Sequence, residues 1–166
     1  WRPRAPVSYE EILKALTSHH VKFIVVGGVG AILQGAPYTT FDIDIVHDRS
    51  TENLDRLIPA LAEMESIYRM SEQRKLVPSR SALAGPGHQL LTTRFGKLDV
   101  LGTIDEASLG CDELLPLSEE MNLPDGTAIQ VLRLDAQIDI KSRSGRPKDK
   151  LALELLKAIR DERQRR

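Results

Sequence analysis

The stretch VVGGVGAILQG at residues 25–35, followed by FDIDIV at residues 41–46, decides the expected fold of this 166-residue chain. The β-branched run that ends at Gly27 predicts a buried strand, and the residues after Gly28 predict a short helix. Glycines between a strand and a helix N-terminus let the backbone approach phosphate oxygens closely, and free N–H groups there attract their charge. The turn therefore favours a phosphate site, although a simple tight turn has the same pattern.

The alternating sequence of residues 41–46 predicts a half-buried strand with two acids on one face. Asp42 and Asp44 project together, while Ile43 and Ile45 project oppositely into a core. Adjacent carboxylates repel one another unless a cation lies between them, and carboxylate oxygens are preferred ligands of Mg²⁺. Alone, this pair is also typical of a solvent-facing strand. The preceding phosphate turn is what favours a metal site here.

A third acid, Asp99, lies within the apolar segment KLDVL at residues 97–101. A carboxylate in an apolar strand is costly unless it is paired or bound to a metal. If this strand lies beside that of Asp42, three carboxylates converge. Such a group can hold two metal ions about 3.5–4 Å apart for in-line phosphoryl displacement. One ion would clamp a triphosphate, and Asp99 would act as the base for an attacking hydroxyl.

The rest of the chain predicts an α+β domain with a mixed sheet, helices mainly on one face, and C-terminal helices. We expect one domain over residues 1–166, with a core over about 21–132 and a helical segment over about 134–166. A capping box at Ser8 and Glu11 predicts a first helix. The remaining expected elements are a helix from Ser50 or Thr51 through Leu61, a variable loop over 65–87 that has room for one short strand, and a hairpin over 88–95 and 97–101. Strands over 121–123 and 127–132 and a final helix over 148–163 follow. Residues 103–118 give no assignment.

Composition limits the protein class. Residues 141–166 contain ten Lys or Arg and four Asp or Glu, a local charge of +6, whereas the whole chain has a net charge of −1. This basic segment either attracts polyanions such as nucleic acids and nucleotides or forms a solvated helix face. No apolar run approaches the roughly 18 residues of a membrane span, and no secretory signal is visible. The lone Cys111 is expected to be buried and fits a reducing, cytoplasmic location.

The motifs at Gly27–Gly28, Asp42, Asp44 and Asp99 together resemble the polymerase-β-like nucleotidyltransferase superfamily. That family combines a Gly-Ser or Gly-Gly turn, about a dozen residues, an Asp-x-Asp or Asp-x-Glu pair and a third acid on a later strand. Here 13 residues separate Gly28 from Asp42. The resemblance implies the nucleotidyltransferase fold, a nucleoside triphosphate substrate and Mg²⁺ or Mn²⁺. It also implies that the glycines contact the triphosphate and that all three acids are catalytic metal ligands.

Further motifs resemble small stand-alone members, the minimal nucleotidyltransferases and the type IV abortive-infection toxin nucleotidyltransferases. Their Gly-x-x-Arg-x-Thr-x-Asp-x-Asp pattern is matched at Gly35 and Thr40, with Tyr38 in the place of the arginine. The segment KSRSGRPKD at residues 141–149 is similar to their Lys-x-x-x-Gly-Arg-x-Lys-Asp pattern. This likeness implies that Lys141 and Lys148 are nucleotide-binding residues.

The expected function is metal-dependent transfer of a nucleoside monophosphate from a nucleoside triphosphate to an acceptor hydroxyl. The short chain and its basic tail favour RNA or protein as acceptor, and a toxin–antitoxin system with a toxin or antitoxin partner is a further expectation. One alternative is an inactive antitoxin or interaction module, whose acids would be splayed or paired with arginine. A second is an antibiotic nucleotidyltransferase. A dinucleotide site at Gly28-x-Gly30 is rejected because Leu33 is too large for close helix–strand packing.

Overall fold

The computed structural model describes residues 8–35, 42–71 and 73–166, with the backbone only of Lys148. Seven strands form one sheet within these ranges. They are β1 (Phe23–Val26), β2 (Asp42–His47), β3 (Ile67–Tyr68), β4 (His88–Thr93), β5 (Gly96–Leu101), β6 (Ser118–Asn122) and β7 (Ala128–Leu132). The α-helices are α1 (Tyr9–Ser18), α2 (Gly27–Leu33), α3 (Thr51–Glu63), α4 (Arg80–Ala84), α5 (Cys111–Leu114), α6 (Leu134–Ser142) and α7 (Pro147–Gln164).

The sheet is mixed, with the strand order β3-β4-β5-β2-β1-β7-β6. Strand β2 pairs in parallel with β5, and β1 pairs in parallel with β7, while the other neighbours are antiparallel. The α+β class predicted from the sequence is therefore confirmed. Because β2 lies between β5 and β1, its two acids are close both to the third acid, on β5, and to the glycine turn that follows β1.

The main hydrophobic core lies between one face of the sheet and helices α1 and α3. Ile43 and Ile45 of β2 and Leu98 and Val100 of β5 are fully buried in it. A smaller apolar cluster covers part of the opposite face, under α5 and α6, and contains Cys111. Burial raises the pKa of the Cys111 thiol to about 11, which agrees with its expected structural role. The uncovered remainder of this second face carries the acids.

Several local predictions need correction. Ser8 occupies the N-cap position of α1, but its side chain makes no capping hydrogen bond. Its backbone N–H instead donates to the carbonyl of Phe95, 2.9 Å away, so the tertiary contact replaces the predicted capping box. The expected loop over 65–87 contains β3, a 3₁₀ helix at Arg69–Ser71 and α4. These pieces are too short to produce a recognisable hydrophobic period.

Other expectations agree with the structure. Ser50 caps α3 by accepting a hydrogen bond from the N–H of Asn53. The hairpin predicted around Gly96 is β4–β5, and the turn at 124–126 joins β6 and β7. The unassigned segment 103–118 contains α5 and a 3₁₀ helix at Leu115–Leu117. No helix in the described ranges is long and apolar enough to cross a membrane.

Candidate active site

Three carboxylates converge where β2 and β5 run side by side. The parallel register places Asp44 directly opposite Asp99, and Asp42 lies two residues before Asp44 on the same face. One carboxylate oxygen from each acid lies within 4.8 Å of the other two. All three side chains are half-buried, so water reaches them only partly. The structure thus brings together all three acids that the sequence analysis selected.

This donor set fits a divalent metal ion. Like charges directly opposite one another destabilise a sheet, and a bound cation removes that repulsion. Carboxylate oxygens are the ligands that Mg²⁺ takes in phosphoryl-transfer sites, where it keeps several waters and also binds substrate phosphates. The separations leave room for one shared ion or for a pair of ions. The cluster therefore has the chemistry of a hard-metal site.

The glycine turn lies directly against the acids. Helix α2 begins at Gly27, whose φ of +66° belongs to the left-handed region. A side chain at Gly27 would overlap the Oδ2 atom of Asp44, so only glycine fits beside that carboxylate. Gly27 lies this close to Asp44 because the antiparallel register of β1 and β2 pairs the preceding residue, Val26, with Asp44. The backbone at Gly27 and Gly28 consequently borders the same cleft as the acids.

Asp99 has an arginine partner that sequence reasoning missed. The Nη2 atom of Arg69 donates to Asp99 Oδ1 at 2.7 Å and to the carbonyl of Leu91 at 3.1 Å. The inactive-scaffold alternative predicted such a pairing, whereas the clustering of the acids is what an active site requires. The ion pair occupies one oxygen of one acid and leaves the three-carboxylate cluster intact. No sequence signal marked Arg69, because it follows a two-residue strand in a segment without periodicity.

The junction of α6 and α7 forms the opposite wall of the cleft. Lys141 lines the cleft, and its Nζ atom lies 3.6 Å from Asp149 Oδ1. The buried carboxylate of Asp149 also accepts hydrogen bonds from Ser144 Oγ at 2.6 Å and from Arg146 Nε at 2.8 Å. Burial by itself raises the pKa of Asp149, but these bonds and Lys141 outweigh it and hold the pKa below its ordinary value.

Not every residue of the predicted motifs is described. Tyr38 and Thr40 lie outside the described ranges, as does the side chain of Lys148. The backbone of Lys148 belongs to the first turn of α7. The prediction that Lys148 contacts the nucleotide therefore stays a prediction, whereas Lys141 lies where a cleft ligand would meet it.

The cleft between these walls has a volume of about 1070 Å³. Its lining mixes charged and apolar groups. Arg143 pairs with Asp105 across the cleft margin, with an Nη2–Oδ2 distance of 2.6 Å. Leu90 and Leu151 present exposed apolar surface beside the charged groups. Other lining residues are Lys97, Leu101, Ile104, Glu106, Gln137 and Ile140.

Comparison with known proteins identifies the family and the fold. The family model of aminoglycoside-2''-adenylyltransferase matches residues 9–156. The crystal structure of the lincosamide antibiotic adenylyltransferase LnuA, with lincomycin bound, is 19% identical and has a TM-score of 0.60. That alignment covers 93% of this chain and 99% of LnuA, so the two share the nucleotidyltransferase fold.

A nucleotidyltransferase structure from Thermotoga maritima is 20% identical over 76% of this chain and 64% of that one, with a TM-score of 0.38, too low to compare folds. The comparison with curated protein sequences found no match. The family model spans the glycine turn, all three acids and the α6–α7 junction. The chain is therefore a nucleotidyltransferase and belongs to the aminoglycoside-2''-adenylyltransferase family.

Proposed function

We propose that this enzyme transfers the adenylyl group of ATP to a hydroxyl of a small-molecule antibiotic, of aminoglycoside or lincosamide type. The observation that carries the proposal is the convergence of Asp42, Asp44 and Asp99 within 4.8 Å in a chain of an adenylyltransferase family. Membership in a family named for an adenylyl transfer to an aminoglycoside supports both the donor and the class of acceptor.

The three acids are proposed to hold Mg²⁺ or Mn²⁺. When bound, such an ion neutralises triphosphate charge and stabilises the charge that develops during phosphoryl transfer. The protein contributes three converging carboxylates on rigid strands, so little rearrangement is needed to bind the cation. They lie on the sheet face opposite the main core and line the cleft in which ATP is proposed to bind.

Other residues of the cleft are assigned to the triphosphate. Gly27 and Gly28 present backbone rather than side chains beside Asp44, which permits close approach of phosphate oxygens. Lys141 supplies a positive charge from the opposite wall. Lys148 is retained as a second proposed phosphate contact on the basis of the sequence motif.

Asp99 is proposed as the base. It accepts the proton of the acceptor hydroxyl, and the hydroxyl oxygen forms a bond to the α-phosphorus of ATP. The bond from that phosphorus to the bridging oxygen of the β-phosphate breaks, and pyrophosphate leaves. Asp99 lies on β5, beside β4 and the exposed Leu90. Its carboxylate is therefore on the side of the cluster away from the glycine turn. The acceptor would therefore approach from the β4 side.

The nature of the cleft supports a small acceptor. Ligand pockets typically measure about 300–1000 Å³ and combine apolar walls with a few charged groups. A cleft of about 1070 Å³ has room for a nucleotide and part of a drug-sized molecule. The expected RNA or protein acceptor and the toxin–antitoxin role have no support among the comparisons. We therefore place the antibiotic alternative first and keep the macromolecular acceptors as outcomes of the test.

The test is an adenylylation assay with ATP and Mg²⁺ against aminoglycosides, lincosamides, RNA and protein, read by product mass and pyrophosphate release. We expect a monoadenylylated antibiotic. Asp44→Ala should lower turnover about 1000-fold, because loss of a metal ligand removes several kcal/mol of transition-state stabilisation. Asp112→Ala is the matched control, since that aspartate is 86% exposed and outside the cleft lining.

Two results would count against the proposal. Transfer to RNA or protein without transfer to any antibiotic would contradict the acceptor assignment. Wild-type turnover in Asp44→Ala would refute the assignment of the catalytic site itself, whichever acceptor is used.

A further inference from the structure

The 3₁₀ helix at Arg69–Ser71 reaches the active site from the edge of the sheet. It follows β3, the edge strand, and β4 lies between it and β5. The Arg69 side chain spans β4, where it donates to the carbonyl of Leu91, and it ends on Asp99 Oδ1 at 2.7 Å. One guanidinium nitrogen thus ties the proposed base to the backbone of the neighbouring strand.

This contact constrains the orientation of Asp99. A charge-assisted hydrogen bond at this distance is among the stronger polar contacts in proteins. Because Arg69 holds Oδ1, rotation of the carboxylate about its Cβ–Cγ bond would break that bond. The other oxygen, which takes no part in it, is then held at a fixed angle. Asp44 stands directly across from Asp99 in the parallel register, so this angle sets how the two carboxylates face one another.

Within the described part of the chain, the hydrogen-bond donors of the Arg69 side chain are not all paired, which is unusual for a residue with a purely structural role. Its side chain is 22% exposed, and its Nε atom is buried without a hydrogen-bond partner among the described residues. A buried donor without a partner destabilises a fold, and native proteins contain few of them. A residue kept for stability alone would be expected to satisfy all of its donors. Functional sites, in contrast, commonly retain groups that reduce stability.

A second ion pair in the chain provides a direct comparison. Arg80 Nη2 donates to Asp55 Oδ1, also at 2.7 Å, but these side chains are 45% and 64% exposed. The pair lies on α3 and α4, outside the residues that line the cleft. Both pairs join an arginine Nη2 atom to an aspartate Oδ1 atom at the same distance. They differ in burial and in proximity to the three acids. Exposed pairs of this kind contribute little to stability.

We propose that Arg69 is a positioning residue for the reaction. It holds Asp99 through Oδ1 so that the second carboxylate oxygen faces the acceptor hydroxyl and the neighbouring acids. This inference rests on the proposed role of Asp99 as the base. It assigns Arg69 no contact with ATP, because the glycine turn follows β1, on the side of the acids away from β4 and Arg69.

The experiment compares wild type with Arg69→Met, Arg69→Lys and the control Arg80→Met. Steady-state kinetics is measured with the acceptor that the wild type uses, and thermal unfolding is measured on each protein. Arg69→Met should lower kcat about 100-fold, the scale expected when a catalytic group is displaced by about 1 Å. The KM for ATP should change far less than kcat does. Arg69→Lys should recover part of the loss, since it keeps the charge but not the planar fork.

Two further readouts do not depend on turnover. Because Met removes the cation that is paired with Asp99 beside two other carboxylates, Arg69→Met should unfold at a lower temperature than the wild type while remaining folded at the assay temperature. Calorimetry with a non-hydrolysable ATP analogue and Mn²⁺ should show a far smaller loss of affinity than of kcat, because Asp42 and Asp44 remain as proposed metal ligands. Arg80→Met should match the wild type in kcat.

The inference is overturned if Arg69→Met keeps wild-type kcat. It is also overturned if the variant loses analogue affinity in parallel with turnover, or if lower activity is matched by a lower fraction of folded protein. Failure of the proposed function would be seen separately, in the acceptor profile of the wild type. The Arg69 variants are assayed with whatever acceptor that profile identifies.

Discussion

The two faces of strands β2 and β5 have opposite roles. On one face, Ile43, Ile45, Leu98 and Val100 are fully buried against α1 and α3. On the other face, the same strands hold Asp42, Asp44 and Asp99 with carboxylate oxygens within 4.8 Å of one another. Apolar burial stabilises the fold, whereas like charges in register oppose it. The apolar face thus holds rigid the strands from which the acids project.

The largest expected change in stability comes from a substitution on the apolar face alone. Ile45→Ala should lower the free energy of unfolding by about 2–5 kcal/mol, because it leaves a cavity in a fully buried position. Its turnover per folded molecule should stay near the wild-type value. Urea unfolding and an assay corrected for folded protein would measure both quantities.

Asp44→Asn is the matched variant on the opposite face of the same strand. It should lower turnover about 1000-fold, as Asp44→Ala does, while changing the free energy of unfolding less than Ile45→Ala does. If Ile45→Ala lost turnover out of proportion to its unfolded fraction, the two faces would not be functionally separate.

The next effect concerns the backbone beside the acids. Gly27→Ala places a side chain where Asp44 Oδ2 lies, so the carboxylate must move. We expect kcat/KM to fall about 100-fold from this displacement, with a stability loss of about 1–2 kcal/mol from the positive φ. Steady-state kinetics and thermal unfolding would measure these changes.

Gly126→Ala distinguishes the effect of backbone strain from the effect of moving the Asp44 carboxylate. Gly126 also has a positive φ, of +89°, but nothing lies within 4 Å of a side chain added there. This variant should lose stability similarly and keep wild-type kinetics. Equal kinetic losses in both variants would show that general strain, not movement of Asp44, limits catalysis.

The smallest expected effect lies at the α6–α7 junction, where the charge of Asp149 adds to apolar contacts that include Ile138 of α6 and Leu156 of α7. Hydrogen bonds from Ser144 and Arg146, together with Lys141, outweigh burial and lower the pKa of Asp149 from its ordinary value of 3.8. The unfolded chain then binds the proton more tightly, so the stabilisation is complete above pH 3.8 and is lost as the pH falls through the folded-state pKa.

Asp149→Asn removes this titration. The difference in unfolding free energy between wild type and variant should be larger at pH 7 than at about pH 3. Denaturant unfolding at the two pH values would measure it. A difference that is constant with pH would mean that the junction depends on the shape of residue 149 and not on its charge.

The acidic strand and the glycine turn could be predicted because both are local patterns. Alternation places Asp42 and Asp44 on one face whatever the rest of the chain does, and a glycine pair after a β-branched run indicates a strand-to-helix turn. The capping box at Ser8 was wrong because a contact with Phe95 from a distant hairpin takes its place. Local patterns hold where no long-range contact competes with them.

The sequence by itself determined the α+β class and selected the three acids, and it predicted a cation beside them. Only the tertiary structure decided that β5 pairs with β2, which puts Asp99 opposite Asp44 across some fifty residues of chain. It also decided that Arg69 reaches Asp99 and that Gly27 lies against Asp44. The physical reason is that side-chain alternation is a property of a single strand, whereas strand order and ion pairing depend on which distant segments share one core.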